Sequence, residues 1–167
     1  MKFQNIMVRV ANAFFRLLPM SRMHNVKCSI LRLAGLKIGK NVRIWSTAKF
    51  YSPHIEIGDN TFIGFNVQLF ANCGGEIIIG RNCALGTDVI IITGSHTPGT
   101  PENRTGPGVV KPIRVHDGCR ISTRAVLIEG VEVGAGAHIA AGAVVVANVA
   151  ANTLVGGVPA RHIKDLS

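Results

Sequence analysis

Along most of the chain a large aliphatic or phenylalanine side chain returns at every sixth position. The run is Ile38, Ile44, Phe50; Ile57, Ile63, Leu69; Ile79, Leu85, Ile91; then Val115, Ile121, Leu127, Val133, Ile139 and Val145. Four places after each of these comes a small residue, such as Val42, Ala48, Thr61, Val67, Cys83, Val89, Cys119, Ala125 or Ala137; only His54 breaks that rule. Glycine often follows the aliphatic directly (Gly39, Gly58, Gly64, Gly80, Gly86, Gly134), where a turn needs either freedom of φ or close backbone approach. A period of six does not fit whole α-helical turns. Short strands joined by tight turns do fit, each aliphatic pointing into a narrow interior.

Every third hexad differs from the other two. Its second place is always bulky and apolar: Tyr51, Phe70, Ile92, Ile128, Val146. The larger period is therefore eighteen, one turn of a three-sided coil, with one side unlike the others. Five such coils at strand spacing stand roughly 24 Å tall. The bulky stripe lies on an outer face, and a strip of that kind calls for a cover: a second subunit or the N-terminal helices.

Two segments leave the pattern. Residues 97–114 hold Pro98, Pro101, Pro107 and Pro112, and the frame then resumes in phase, Ile79 to Val115 being 36 residues. A loop extruded from a regular repeat usually carries function. Residues 1–37 read as two helices. The first has Phe3, Ile6, Met7, Val10, Phe14, Leu17 and Leu18 at helical spacing with Arg9, Asn12 and Arg16 opposite, and ends at Pro19; the second runs from about Met23 to Ala34 and stops at Gly35. The expected organisation is a helical cap over 1–37, a β-helix over 38–160 with its loop at 97–114, and a tail over 161–167.

Charge sharpens the view of the cap. Residues 1–43 carry nine Lys or Arg and no acid, while the rest of the chain carries nine of each sign. One reading is a cap that covers open strand edges. The sharper one adds peripheral contact with an anionic membrane surface. Nucleic acid fits poorly, since the cations lack interleaved aromatics or a known module. No run of 18 apolar residues exists to span a bilayer, and Arg9 and Arg16 interrupt Ile6–Met20 as a secretory segment. The four cysteines show no metal-like spacing, so the expectation is a reduced, cytoplasmic chain without a metal, with Cys73, Cys83 and Cys119 as interior fillers.

Hexads, coil and extruded loop together resemble the left-handed parallel β-helix of the hexapeptide-repeat acyltransferases over about residues 38–160. Thr93-Gly94-Ser95-His96-Thr97-Pro98 resembles the place where the maltose, galactoside and xenobiotic acetyltransferase branch sets its histidine, just before such a loop. The resemblance implies His96 as general base, the backbone N–H of Thr123 as oxyanion donor and Asn72 beside the acceptor. It implies acetyl-CoA as acyl donor, lying along the small wall around Ala141. The ending Gly157-Val158-Pro159-Ala160-Arg161 is similar to the family's G-x-P-A-[KR], with Arg161 and Lys164 toward the nucleotide phosphates. It further implies a homotrimer with active sites between subunits, and a saccharide or lipid-linked saccharide acceptor in surface polysaccharide synthesis. Arg120 stands where the family often has Trp, and His116 and Ser122 replace glycines, which leaves the donor's fit and the acceptor range open.

An N-acetyltransferase acting on an amino sugar uses the same base. A zinc hydratase of the γ-carbonic-anhydrase type shares the prism but needs an H-x₄-H pair, whereas His96, His116 and His138 are 20 and 22 apart. An ice-binding scaffold presents ranks of threonine that this chain lacks.

Overall fold

A computed structural model describes residues 2–71 and 74–167. Two helices, α1 (Lys2–Phe15) and α2 (His24–Leu33), precede the first coil, built from β1 (Lys37–Ile38), β2 (Arg43–Ile44) and β3 (Lys49–Phe50). The second coil is β4 (Ile55–Ile57), β5 (Phe62–Ile63) and β6 (Gln68–Phe70); the third is β7 (Ile77–Ile79), β8 (Ala84–Leu85) and β9 (Ile90–Ile92). A hairpin follows, β10 (Gly94–Pro98) and β11 (Thr105–Val110), so the extruded segment is itself a paired ribbon. The fourth coil is β12 (Ile113–Val115), β13 (Arg120–Ile121) and β14 (Val126–Leu127); the fifth is β15 (Glu132–Val133), β16 (His138–Ile139) and β17 (Val144–Val145). The chain ends in β18 (Thr153–Gly156) and β19 (Arg161–Asp165), which turns back antiparallel on β18.

The first, second and third strands of successive coils pair in parallel, giving the three faces of a left-handed prism. Register follows the hexads. Ile38 pairs with Ile57, Ile57 with Ile79, Ile79 with Val115 and Val115 with Val133, so the frame does rejoin in phase across the hairpin. The aliphatics of the repeat fill the interior, with Ile44, Phe50, Ile63, Leu69, Leu85, Ile91, Ile121, Leu127, Val133 and Ile139 fully buried. Cys83 and Cys119 are buried free thiols in that core, while Cys73 lies outside the described residues.

Turn chemistry divides between two places of the hexad. The glycine after the aliphatic is there for close approach: a Cβ on Gly58 would stand 2.6 Å from the carbonyl carbon of Gly80. The left-handed conformation sits two places later, at Asn41, Asn60, Asn66, Asn82, Asp88, Gly118, Arg124, Gly130, Gly136 and Gly142. Asn, Asp and Gly tolerate φ near +55° to +80° with least strain; Arg124 is the exception to that composition.

The open edge of the first coil is met by side chains on all three faces. Arg32 Nε donates to Ile38 O at 3.0 Å and its Nη2 to Gly39 O at 2.7 Å. His24 Nδ1 lies 3.2 Å from Ile44 N and 3.0 Å from Ile44 O. The Ile44 N–H can only donate, and Ile44 O already takes a bond from Lys27 Nζ at 3.1 Å, so Nδ1 is the acceptor and the His24 proton sits on Nε2. Asn12 pairs with both backbone groups of Phe50. The outward backbone groups of Ile44 and Phe50 and the carbonyl of Ile38 are thereby paired, which blunts the edge. Lys27, fully buried, also donates to Pro19 O and Met20 O, both at 2.9 Å.

This capping rotates α1 away from the face that its apolar spacing favours. Val8, Ala11 and Phe15 are buried over the prism, whereas Phe3, Ile6, Val10, Phe14 and Leu17 are exposed, Leu17 by 78%. The Asn12–Phe50 pairing sets the azimuth: it turns a polar position inward and a large apolar stripe outward. The helix also ends at Phe15, four residues before Pro19, through tighter bonds from Arg16, Leu17 and Leu18 N–H to carbonyls three residues back.

Candidate active site

The hairpin leaves the prism at the end of β9. Thr93 is fully buried, its N–H donates to Phe70 O at 3.0 Å, and its own carbonyl accepts from Lys111 N–H at 3.0 Å, closing the neck of the ribbon. Gly75 lets the neck sit flush, since a Cβ there would lie 2.5 Å from Thr93 Oγ1 and 2.6 Å from Val110 Cγ1. Beyond the neck His96 pairs across the ribbon with Gly108. The imidazole lies beside that glycine, exposed, and among the described residues it makes no hydrogen bond. Asn72 falls outside the described residues.

Four of the other histidines have set partners. His24 caps β2; His116 Nε2 meets Glu132 Oε1 at 2.6 Å; His162 Nε2 meets Asp165 Oδ1 at 2.9 Å. His138 Nε2 lies 2.8 Å from Ser122 Oγ. Burial, and then the charge of Arg120, holds the His138 imidazolium below the ordinary histidine range, so the neutral ring accepts from the Ser122 hydroxyl. Composition hid this pair. The coil period exposes it, because Arg120 and His138 stack at an eighteen-residue offset with Ser122 diagonal to both.

Thr123 occupies the corner between the second and third faces, in a turn closed by Ala125 N–H to Ser122 O at 3.2 Å. Among the described residues its N–H has no backbone acceptor, while its carbonyl takes the Gly142 N–H at 2.9 Å. Ala141 therefore stands one rung above, exposed, and beside it Gly142 has open space where a Cβ would be. The turn after β18 continues the same ridge, since Val144 N–H donates to Gly157 O at 3.0 Å and Ala160 N–H to Val144 O at 2.8 Å. Arg161 and Lys164 follow on β19, both exposed.

The predicted residues thus fall in two groups. Thr123, Ala141 and the approach to Arg161 share one ridge, at the start of the third-face strands. His96 stands beyond the other end of those strands, and three residues of strand alone separate the edges by about 10 Å. A small, open wall that leads toward Arg161 fits an extended thioester with an anionic end, while Lys164 pairs opposite Leu154 at the far end of β18. Among the described residues, no group of three or more His, Cys, Asp or Glu side chains is arranged to hold a metal ion within one chain.

Comparison with known proteins agrees with this frame. The family pattern described as the hexapeptide repeat of succinyl-transferase matches residues 112–147. The chain is 30% identical over 144 residues to the Escherichia coli (strain K12) protein assigned to colanic acid biosynthesis as the acetyltransferase WcaF, covering 86% of this chain and 76% of that one. Over 61 residues, 36% of this chain and 26% of the relative, it is 46% identical to a Staphylococcus aureus (strain bovine RF122 / ET3-1) 2,3,4,5-tetrahydropyridine-2,6-dicarboxylate N-acetyltransferase. Among solved structures, the Vibrio cholerae O1 biovar eltor hexapeptide-repeat acetyltransferase VCA0836, complexed with acetyl-CoA, superposes with a TM-score of 0.78 at 28% identity, covering 96% of this chain and 87% of that one. Identity at that level across most of both chains, carried on the same prism, makes this protein a member of the hexapeptide-repeat acetyltransferases.

Proposed function

We propose that the protein moves an acetyl group from acetyl-CoA to a sugar hydroxyl in the making of a surface or exopolysaccharide. The observation that carries this reading is the open imidazole of His96 on a hairpin with a buried, hydrogen-bonded neck. Acetyl-CoA supplies an activated acyl group with a good leaving thiolate. His96 takes the proton of the hydroxyl as its oxygen forms the new C–O bond. The Thr123 N–H faces the carbonyl oxygen as negative charge builds there. When the C–S bond breaks, the His96 proton passes to the departing sulfur. Ala141 leaves room for the pantetheine arm, and Arg161 with Lys164 meets its phosphates. Asn72 is proposed beside the acceptor.

His96 and Thr123 stand at opposite edges of the third face, which favours a site completed by a neighbouring copy. In a homotrimer, His96 of one subunit faces the Thr123 ridge of the next. The outer stripe supports this, since Tyr51 and Val146 are each 44% exposed in the single chain. The exposed apolar stripe of α1 and the acid-free basic segment favour peripheral contact with an anionic membrane, where a lipid-linked acceptor resides.

Thiol release from acetyl-CoA over a panel of saccharides, with wild type and His96→Ala, tests the reading. Loss of about 10²–10⁴ in turnover is expected in the variant. Undiminished turnover removes His96 as base. N-acyl transfer is the second reading, favoured by the short match to an N-acetyltransferase; amino sugars outrunning their hydroxyl counterparts in the same panel would establish it.

A further inference from the structure

Between α1 and the first coil lies a cleft of ≈ 940 Å³ that the acyl-transfer site does not use. Arg9, Arg16 and Lys49 line it, with no Asp or Glu among its lining residues. Arg9 stands on α1 and Arg16 in the tighter turn that follows it, seven residues and about 10 Å further along the same side. Lys49 faces them from β3. Among the described residues none of the three forms an ion pair. Thr47, Phe65 and Tyr51 supply a hydroxyl and aromatic walls. The carboxylate bonded to the lining residue Asn66, that of Asp88, accepts from Asn66 Nδ2 at 2.7 Å and pairs with Arg124 at 3.7 Å.

Three unpaired cations around one concave space fit a ligand with two or more negative charges, and guanidinium forks match phosphate oxygens in pairs. The cleft also opens on the ridge that carries Thr123. Hydrogen bonds step along that ridge from Thr47 Oγ1 to Asn66 N–H, Phe65 O to Asp88 N–H, and Thr87 O to Arg124 N–H. Three rungs separate Thr47 from Thr123, about 14 Å at strand spacing. Arg9 and Arg16 line the cleft, while the exposed apolar stripe of Phe3, Ile6, Val10 and Phe14 lies elsewhere on the helix, so cleft binding and membrane contact use different side chains of α1.

We infer that this cleft binds a diphosphate group, anchoring an acceptor whose sugar extends up the ridge toward Thr123. The role as acceptor anchor rests on the acyl-transfer reading; binding of the diphosphate does not. Titration calorimetry with inorganic pyrophosphate, uridine diphosphate and farnesyl diphosphate tests it, on wild type, Arg9→Gln/Arg16→Gln and Lys49→Gln. Wild type is expected to bind all three, more weakly as salt rises. The double variant is expected to lose about tenfold or more in affinity with its thermal melt unchanged. Tighter binding of farnesyl diphosphate than of uridine diphosphate assigns a lipid-borne group, and the reverse order a nucleotide-borne one. No binding by wild type, or equal binding by the double variant, overturns the inference. So does a result in which the arginines matter only for phosphatidylglycerol vesicles. His96→Ala is expected to bind pyrophosphate as wild type does, so failure of the base assignment and failure of the cleft are separately visible.

Discussion

Asn12 holds the backbone of Phe50 at both of its polar groups: Nδ2 donates to Phe50 O at 2.6 Å, and Oδ1 accepts from Phe50 N–H at 3.1 Å. A primary amide offers a donor and an acceptor side by side, as the backbone of a further strand would. Asn12→Ala leaves both groups of Phe50 without protein partners. The expected cost is about 1–3 kcal/mol, seen as a lower melting midpoint together with faster amide exchange at Phe50. Exchange at Ile91, deep in the third coil, is expected to change far less, because a solenoid frays from its ends.

Lys27 is the cation at the bottom of the prism, bonded to the carbonyls of Pro19, Met20 and Ile44. Burial holds its ammonium below the ordinary lysine range. Between that lowered value and about 10.4, the unfolded chain binds the proton that the folded chain has released. Stability therefore rises with pH through this window. Lys27→Met keeps the volume, orphans the Ile44 carbonyl while Ser46 still bonds Pro19 O and Met20 O, and removes a desolvated charge; a net loss of about 1–3 kcal/mol is expected. Denaturant unfolding across alkaline pH checks both the loss and the disappearance of the slope.

His138 stays neutral below the ordinary histidine range because of burial first and Arg120 second. Its folded value is depressed, so stability is lost as pH falls from about 6.5 through that lower value. Arg120→Gln removes only the second cause. Imidazole titration by NMR is expected to show a partial upward shift, short of the ordinary value. A full return would mean that burial contributes nothing.

The Thr123 amide admits a backbone-only test. Arg124 has φ of 59°, while Thr123 is not among the residues with positive φ, so Thr123 is the second residue of a type II turn. Proline suits that place. Thr123→Pro deletes the N–H while keeping the turn, and turnover is expected to fall about 10²–10³-fold with the melting curve nearly unchanged. Wild-type turnover in a folded Thr123→Pro protein would remove the oxyanion role.

Much of the architecture is legible in the sequence because each coil repeats one local rule. Aliphatics at every sixth place must all point inward, so phase, coil count and the return of the frame at Val115 follow from spacing alone. The same repetition holds a signal at the fourth place, where Asn, Asp and Gly mark the left-handed turn residues; attention to the second-place glycines passes over it.

The helices show the limit of such reading. Spacing predicts the apolar stripe of α1, yet that stripe faces outward, because which side meets the prism depends on Asn12 finding Phe50 38 residues away. Likewise His96 is marked by its place before the loop. That it stands across a whole face from Thr123 is a matter of how coils stack, as are the Ser122–His138 bond and the convergence of Arg9, Arg16 and Lys49 on one cleft. Periodicity is a property of neighbours along the chain and survives in one dimension; the meeting of distant side chains depends on the azimuth and rung at which each is delivered, which only the folded backbone sets.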